Sequence, residues 1–282
     1  MPTRFTRRRA GSASTEMIAG SAPTAHRPLE AATRAALVEY LTRHGDDRLV
    51  LGHRLSEWCG HAPILEEDIA IANIALDFIG QANLLLGLAG QLEAQGRDAD
   101  ALAYFREATA FRNLQLVELP KGDFGFTIVR QFLFDAYDVP FLEALQRSAH
   151  AELAGIAAKA YKEARYHLRH SAEWVVKLGD GTDESRRRVQ SALDELWRFT
   201  GELFQPDDVD RTLTDAGIAP DLAPLASRWR ERVEAVLRQA TLTMPESTPT
   251  MLGGRRGWHT EHLGHALAEM QIVARSFPGA KW

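Results

Sequence analysis

Cysteine is almost absent. A single residue, Cys59, among 282 excludes an internal disulfide framework and any zinc site built on two or more cysteines of one chain. That usage fits work in a reducing cytoplasm. A basic excess is also missing: 33 Lys and Arg stand against 38 Asp and Glu, a formal net charge of −5, which leaves no electrostatic footprint for nucleic acid. There is no alternating strand-like run and no internal repeat. Residues 1–28 begin with Arg4, Arg7, Arg8 and Arg9, but Met17–Gly20 is followed at once by Ser21, Pro23 and Thr24. The apolar run of a twin-arginine or secretory signal is therefore lacking, and the segment is expected to be a disordered tail or an over-extended start with Met17 as the real one.

What is present is the composition of a globular protein, 45% apolar and 25% charged. A chain of this length buries roughly 75% of its unfolded surface, enough for one large domain, expected over residues 29–282. The longest apolar stretch, Ile69–Gly90, invites a membrane reading. Asp77 would then sit near mid-bilayer at a cost of roughly 2.5–3.5 kcal/mol, with Asn73, Gln81 and Asn83 adding to it. A helix that is apolar nearly all round suits the centre of a large bundle instead.

Helical periodicity covers most of the remainder. Leu29–His44 and Asp47–Cys59 form the first helical stretches, closed by His61-Ala62-Pro63. A long helix from about Ile64 opens with Glu66, Glu67 and Asp68, which suit the positive end of a helix dipole. Ala101–Glu118, Phe124–Ser148 with Pro140 as a kink, and Ala151–Leu178 ending at Gly179 follow. Thr182 caps Asp183–Phe199, Pro220 and Pro224 break the next stretch, and Ser227–Leu242 and Thr260–Ser276 complete the pattern. The fold class is all-α.

Polar residues recur inside these apolar helices. Asn73, Asp77 and Gln81 stand four apart, as do Glu163 and His167. Inward polar residues on several long helices suggest the ferritin-like carboxylate di-iron architecture, which takes a Glu from each of two helices and a Glu-x-x-His pair from each of two others. None of the ten histidines has Glu or Asp three positions earlier: those positions hold Pro23, Leu41, Val50, Trp58, Arg147, Ala164, His167, Arg256, His259 and His262. The ligand motif of that chemistry is missing.

Five blocks carry a family resemblance: Leu51–Pro63 (LGHRLSEWCGHAP), Glu66–Ala82 (EEDIAIANIALDFIGQA), Thr127–Ala136 (TIVRQFLFDA), Ala157–Asp183 (AAKAYKEARYHLRHSAEWVVKLGDGTD) and Gly253–Gln271 (GGRRGWHTEHLGHALAEMQ). The sequence resembles the structural, non-catalytic ferritin-like subunits of bacterial phenylacetyl-CoA ring epoxidases, which serve aerobic phenylacetate breakdown. The resemblance implies a heteromeric monooxygenase in which a related catalytic subunit holds the iron pair and a separate reductase uses NADPH. It implies no cofactor in this chain. It also implies association with a ferritin-like partner, either that relative or a second copy, and no membrane.

Laying the catalytic relative's ligand pattern over the Gly80 and His167 anchors places its positions on Glu57, Phe78, Gln81, Asp135 or Asp138, Ala164 and His167. Phe78 and Ala164 cannot bind metal and Gln81 is a weak ligand, so the resemblance implies a vestigial site rewired as a polar network. Two other readings stand beside it: an active di-metal oxygenase with an unusual ligand set, and a helical module that docks a CoA thioester. The second would use Gly253-Gly254-Arg255-Arg256-Gly257 as an anion or interface loop, with Arg255 and Arg256 as its contacts. His259, Glu261, His262 and His265 approach a zinc motif, but Thr260 and Gly264 stand where its histidines belong. Gly179–Asp183 lacks EF-hand spacing and is expected to be a cap, a turn and a second cap.

Overall fold

The structure is a computed structural model that describes residues 29–246 and 249–280; the expected tail over 1–28 lies outside them. In chain order the helices are α1 (Ala31–Ser56), α2 (Leu65–Glu93), α3 (Ala99–Tyr104), α4 (Gln115–Glu118), α5 (Phe124–Leu145), α6 (Ala151–Gly179), α7 (Asp183–Leu196), α8 (Asp208–Asp215), α9 (Ala223–Gln239) and α10 (Glu261–Ser276). Among the described residues there is no strand. The fold is an all-α, ferritin-like bundle of α1, α2, α5 and α6, with α1 packed on α2 and α5 on α6.

The bundle follows from spacing. Buried residues step by three and four along α1 (Leu37, Leu41, His44, Arg48, Leu51, Leu55), α2 (Ile71, Ile74, Phe78, Gln81, Leu85, Leu88) and α6 (Ala157, Ala160, Ala164, His167, Ser171, Val175). Steps averaging 3.5 residues keep one seam facing its neighbours along a long helix. The seam of α6 is built from alanine, which lets α5 approach with its large side chains. Helix α5 is buried on nearly every side, because α7 and α9 cover it.

Two expectations are corrected. The first two helical stretches are one continuous helix through Gly45, Asp46 and Asp47. A Cβ on Gly45 would lie 2.7 Å from Leu86, so glycine serves here as a contact point and not as a break. Asp46 and Asp47 are fully buried mid-helix and serve distant partners instead of a cap. Asp46 pairs with Arg106 (Oδ2–Nη1 3.0 Å) and accepts from the Arg112 backbone N–H at 2.9 Å. Asp47 holds Arg255 at 2.7 and 3.1 Å and accepts from Leu114 N–H at 2.7 Å.

Those backbone donors explain the second correction. The stretch 101–118 is not one helix: it is α3, a 3-10 turn at Ala108–Ala110 and α4, joined by extended chain whose N–H groups face α1. Helix α5 continues past Pro140 to Leu145. The Gly179–Asp183 junction is a cap and turn, with the Thr182 hydroxyl accepting from Ser185 N–H at 3.1 Å.

Two further buried carboxylates fasten the C-terminal region. Glu118 accepts from Asn113 Nδ2 at 2.8 Å and pairs with His259 Nδ1 at 2.7 Å. Glu202 accepts from Gly253 N–H at 2.8 Å and Gln115 N–H at 3.1 Å. The loop before α10 is thus part of the interior. Removing one member of a buried ion pair strands the other charge, at about 3–5 kcal/mol. Asp47→Ala should therefore lose about that much stability in urea denaturation; a loss below about 1 kcal/mol would show that Arg255 finds another partner.

Candidate functional site

The middle of the bundle is polar, because the four seams bring ionisable side chains to the same level. From α1, the Arg48 guanidinium donates through Nη2 to Asp138 Oδ1 at 2.6 Å, through Nε to Gln81 Oε1 at 2.9 Å and through Nη1 to His44 O at 3.2 Å. Gln81 of α2 passes the chain on, its Nε2 donating to Glu163 Oε2 of α6 at 2.8 Å. On α5, Asp135 accepts from Gln131 Nε2 at 2.6 Å and from the Ser171 hydroxyl of α6 at 2.8 Å. His167 is fully buried, with Nε2 3.0 Å from Asp77 Oδ2. One turn further along α6, His170 pairs with Glu67 at 2.8 Å. Phe78 fills the space between, its ring 4.9 Å from that of His167 and 5.8 Å from that of Phe134.

Burial dominates the electrostatics. It pushes the Asp135 carboxyl up to about 7, with the Asp138 charge adding to the rise, while His167 and the hydrogen bonds from Ser171 and Gln131 pull the other way. Burial raises Asp138 too, with Arg48 opposing. His44 is driven well below the usual imidazole range, first by burial and then by Arg255, Arg48 and Arg43.

An iron pair does not suit this donor set. Phe78 and Ala164 offer no donor atom, Gln81 is engaged at both ends, and both oxygens of Asp135 are taken. Asp138 Oδ2 and His167 Nδ1 make no hydrogen bond, but two donors are too few for two metals, and a guanidinium already stands beside them. Among the described residues no group of three or more His, Cys, Asp and Glu converges as a metal site. The arrangement is a set of ion pairs and hydrogen bonds that ties the four long helices together.

The family described as "Phenylacetic acid catabolic protein" matches residues 21–282. The chain belongs to that family. It is 49% identical over 246 residues to one of the subunits of the 1,2-phenylacetyl-CoA epoxidase of Escherichia coli (strain K12), covering 87% of this chain and 99% of that protein. The polar centre is where the sequence-predicted positions fall, with one exception.

The exception is Glu57. It lies just past the end of α1 and pairs with Arg54 at 2.7 Å, with its side chain a third exposed. Arg48, nine residues earlier and about 13 Å away along the helix, takes the place in the centre expected of α1. Phe78, Gln81, Asp135 and His167 do converge, Asp138 converges with them, and Ala164 is buried one turn before His167 on α6. Of the polar stripe on α2, Asp77 and Gln81 face α6, whereas Asn73 is exposed.

The Arg255–Arg256 loop is not an anion cradle. Arg255 is held by Asp47 and by the Arg43 and Arg112 carbonyls, and the exposed Arg256 lies 4.8 Å over the Trp258 ring. His259 is spent on Glu118 and on Phe111 O at 3.0 Å, and among the described residues it forms no metal-holding group with His262 and His265. Sequence reasoning missed Arg48, although its place in the seam between His44 and Leu51 marks it as inward-facing.

Asp135 gives the centre a pH signature. Between about pH 4, where an unfolded Asp titrates, and about 7, the folded chain keeps a proton that the unfolded chain has released. Stability should fall as pH rises through that window, and the loss is complete above it. Asp135→Asn should flatten that slope and gain on the order of 4 kcal/mol over the parent at pH 8 relative to pH 4. Urea denaturation at both pH values checks it; an identical difference at the two would contradict the burial of an ionisable Asp135.

Proposed function

We propose that this chain is the non-catalytic structural subunit of a multicomponent phenylacetyl-CoA epoxidase in the cytoplasm, supporting a related ferritin-like subunit that holds the iron pair. A separate reductase would supply electrons from NADPH. One observation carries the reading: the Arg48 guanidinium, 2.6 Å from Asp138, occupies the polar centre where a carboxylate di-iron bundle keeps its metals. The cation that balances the buried carboxylate is part of the chain. What the bundle then offers a complex is a rigid body and a surface.

That surface is the outer face of α2. Leu65 is 72% exposed, Leu76 65% and Ile69 55%, all on one side of the helix. Added Cβ atoms on Gly80 and Gly87 would meet nothing, so the same face lies open over two further turns. Among the described residues α2 alone is long and apolar enough to cross a membrane. Its Glu67, Asp77 and Gln81 are spent on α6 and α1, which favours a bundle helix with a partner on its free side. Exposed apolar patches rimmed by polar residues mark interaction sites, and obligate interfaces bury about 2,000 Å² or more.

Three outcomes are expected. The chain purified from iron-supplemented medium carries far less than one iron and shows no oxygenase turnover alone; two irons per chain would overturn the reading. Leu76→Asp, which places a charge in the α2 face, abolishes co-purification with the related catalytic subunit without lowering the melting temperature; unchanged co-purification would move the interface elsewhere. His167→Ala empties the space of a fully buried ring and breaks its contact with Asp77, so melting temperature and complex yield fall while turnover per assembled complex stays near normal. Collapse of that turnover with normal assembly would point to a metal-binding role for His167.

A further inference from the structure

A groove between α5, α6 and α9 stands apart from the polar centre and from the α2 face. Arg165 and Arg169, one turn apart on α6, meet Arg228 and Arg232, one turn apart on α9, across an open depression of about 430 Å³. A second depression of about 460 Å³ continues it and shares Arg228, Arg232 and Val236. The floor is apolar, formed by Val139, Leu168, Ala172 and Val236. All four arginines are exposed. Arg228 pairs with Glu143 at 2.6 Å. For Arg165, Arg169 and Arg232 no carboxylate lies within ion-pair distance among the described residues, and Arg165 rests 5.9 Å over the Tyr161 ring. Glu143 and Glu231 are the acidic residues that line the two depressions.

This concentration of positive charge is unusual for a chain whose net charge is −5. The field of the whole molecule does not draw anions in, so whatever the groove binds is recognised locally. Guanidinium groups match phosphate oxygens through paired N–H donors, and three of the four here have no carboxylate partner among the described residues. The concavity has the size of a small-molecule site, and a flat acidic protein surface would leave its apolar floor unfilled. The chemistry asked for is several phosphate charges joined to a partly apolar body.

We infer that the Arg165, Arg169, Arg228 and Arg232 groove binds the diphosphate-bearing end of a nucleotide-type ligand. A coenzyme A thioester has this chemistry, with a phosphorylated adenosine diphosphate head and a long, largely apolar arm. Taking the ligand as that thioester rests on the function proposed above; the phosphate recognition itself does not.

The test is calorimetric titration of the full chain, without its partner, with phenylacetyl-CoA, ADP and inorganic pyrophosphate. The comparison variant is Arg165→Gln/Arg232→Gln, whose exposed positions leave the core intact; an unchanged melting temperature confirms this. The chain is expected to bind phenylacetyl-CoA, with affinity at least tenfold weaker in the double variant and falling with added salt. Tighter binding of phenylacetyl-CoA than of ADP assigns the thioester as the ligand, and equal binding assigns a plain nucleotide diphosphate. No binding of any of the three at millimolar concentration, or equal binding by the variant, overturns the inference. Loss of co-purification with the catalytic subunit in the double variant, without phosphate binding by the parent, also overturns it and makes the groove a protein interface. If the parent chain itself fails to co-purify with its catalytic relative, that result counts against the proposed function, and phosphate binding would stand without it.

Discussion

Arg48 sends its three kinds of donor to three places: Nη2 to Asp138 on α5, Nε to Gln81 on α2, and Nη1 to the His44 carbonyl within α1. Taking a guanidinium and a carboxylate out of water costs several kcal/mol per ion, and their attraction offsets this only when the remaining donors and acceptors are also satisfied. Gln81 and the His44 carbonyl meet that condition for the arginine. The same Gln81 reaches Glu163, so the pair on one side of the bundle is continuous with α6 on the other. The long helices are therefore held in register by a network as well as by apolar contact, and a shift of one turn in any of them would strand a charge.

The same device recurs where the C-terminal region meets α1. Asp46, Asp47 and Glu118 are fully buried, Glu202 nearly so, and each accepts from backbone N–H groups or pairs with Arg106, Arg255 or His259. For His259, burial lowers the imidazole pKa, but the Glu118 carboxylate outweighs it and the net shift is upward. These contacts join residues up to 208 positions apart in sequence. A body fixed in this way suits the supporting role proposed above, in which surfaces are presented without rearrangement.

Much of this was legible in the residues. Seam spacing on α2 and α6, the cap at Thr182, and the missing Glu-x-x-His pairs all pointed to an all-α bundle with an altered centre, and Phe78, Gln81, Asp135 and His167 do meet there. Two of the misreadings share one cause. Gly45-Asp46-Asp47 has the chemistry of a helix break, and only contacts with Arg106, Arg255 and Leu114, far away in sequence, turn those aspartates into interior acceptors. Arg255 looked free for the same reason, since its partner is Asp47. Glu57 was placed by analogy of position, whereas the helical phase of α1 puts Arg48 in the centre.

The central claim is that an internal ion pair, Arg48 with Asp138, holds the middle of the bundle. A double-mutant cycle with Arg48→Met and Asp138→Leu, read by urea denaturation, tests it directly. Each single substitution strands a buried charge and should cost about 3–5 kcal/mol, whereas the double replaces the pair with apolar groups and should recover most of that loss. A coupling energy of about 2 kcal/mol or more is the predicted result. Losses that add to within about 0.5 kcal/mol would contradict the account, because independent sites behave in that way.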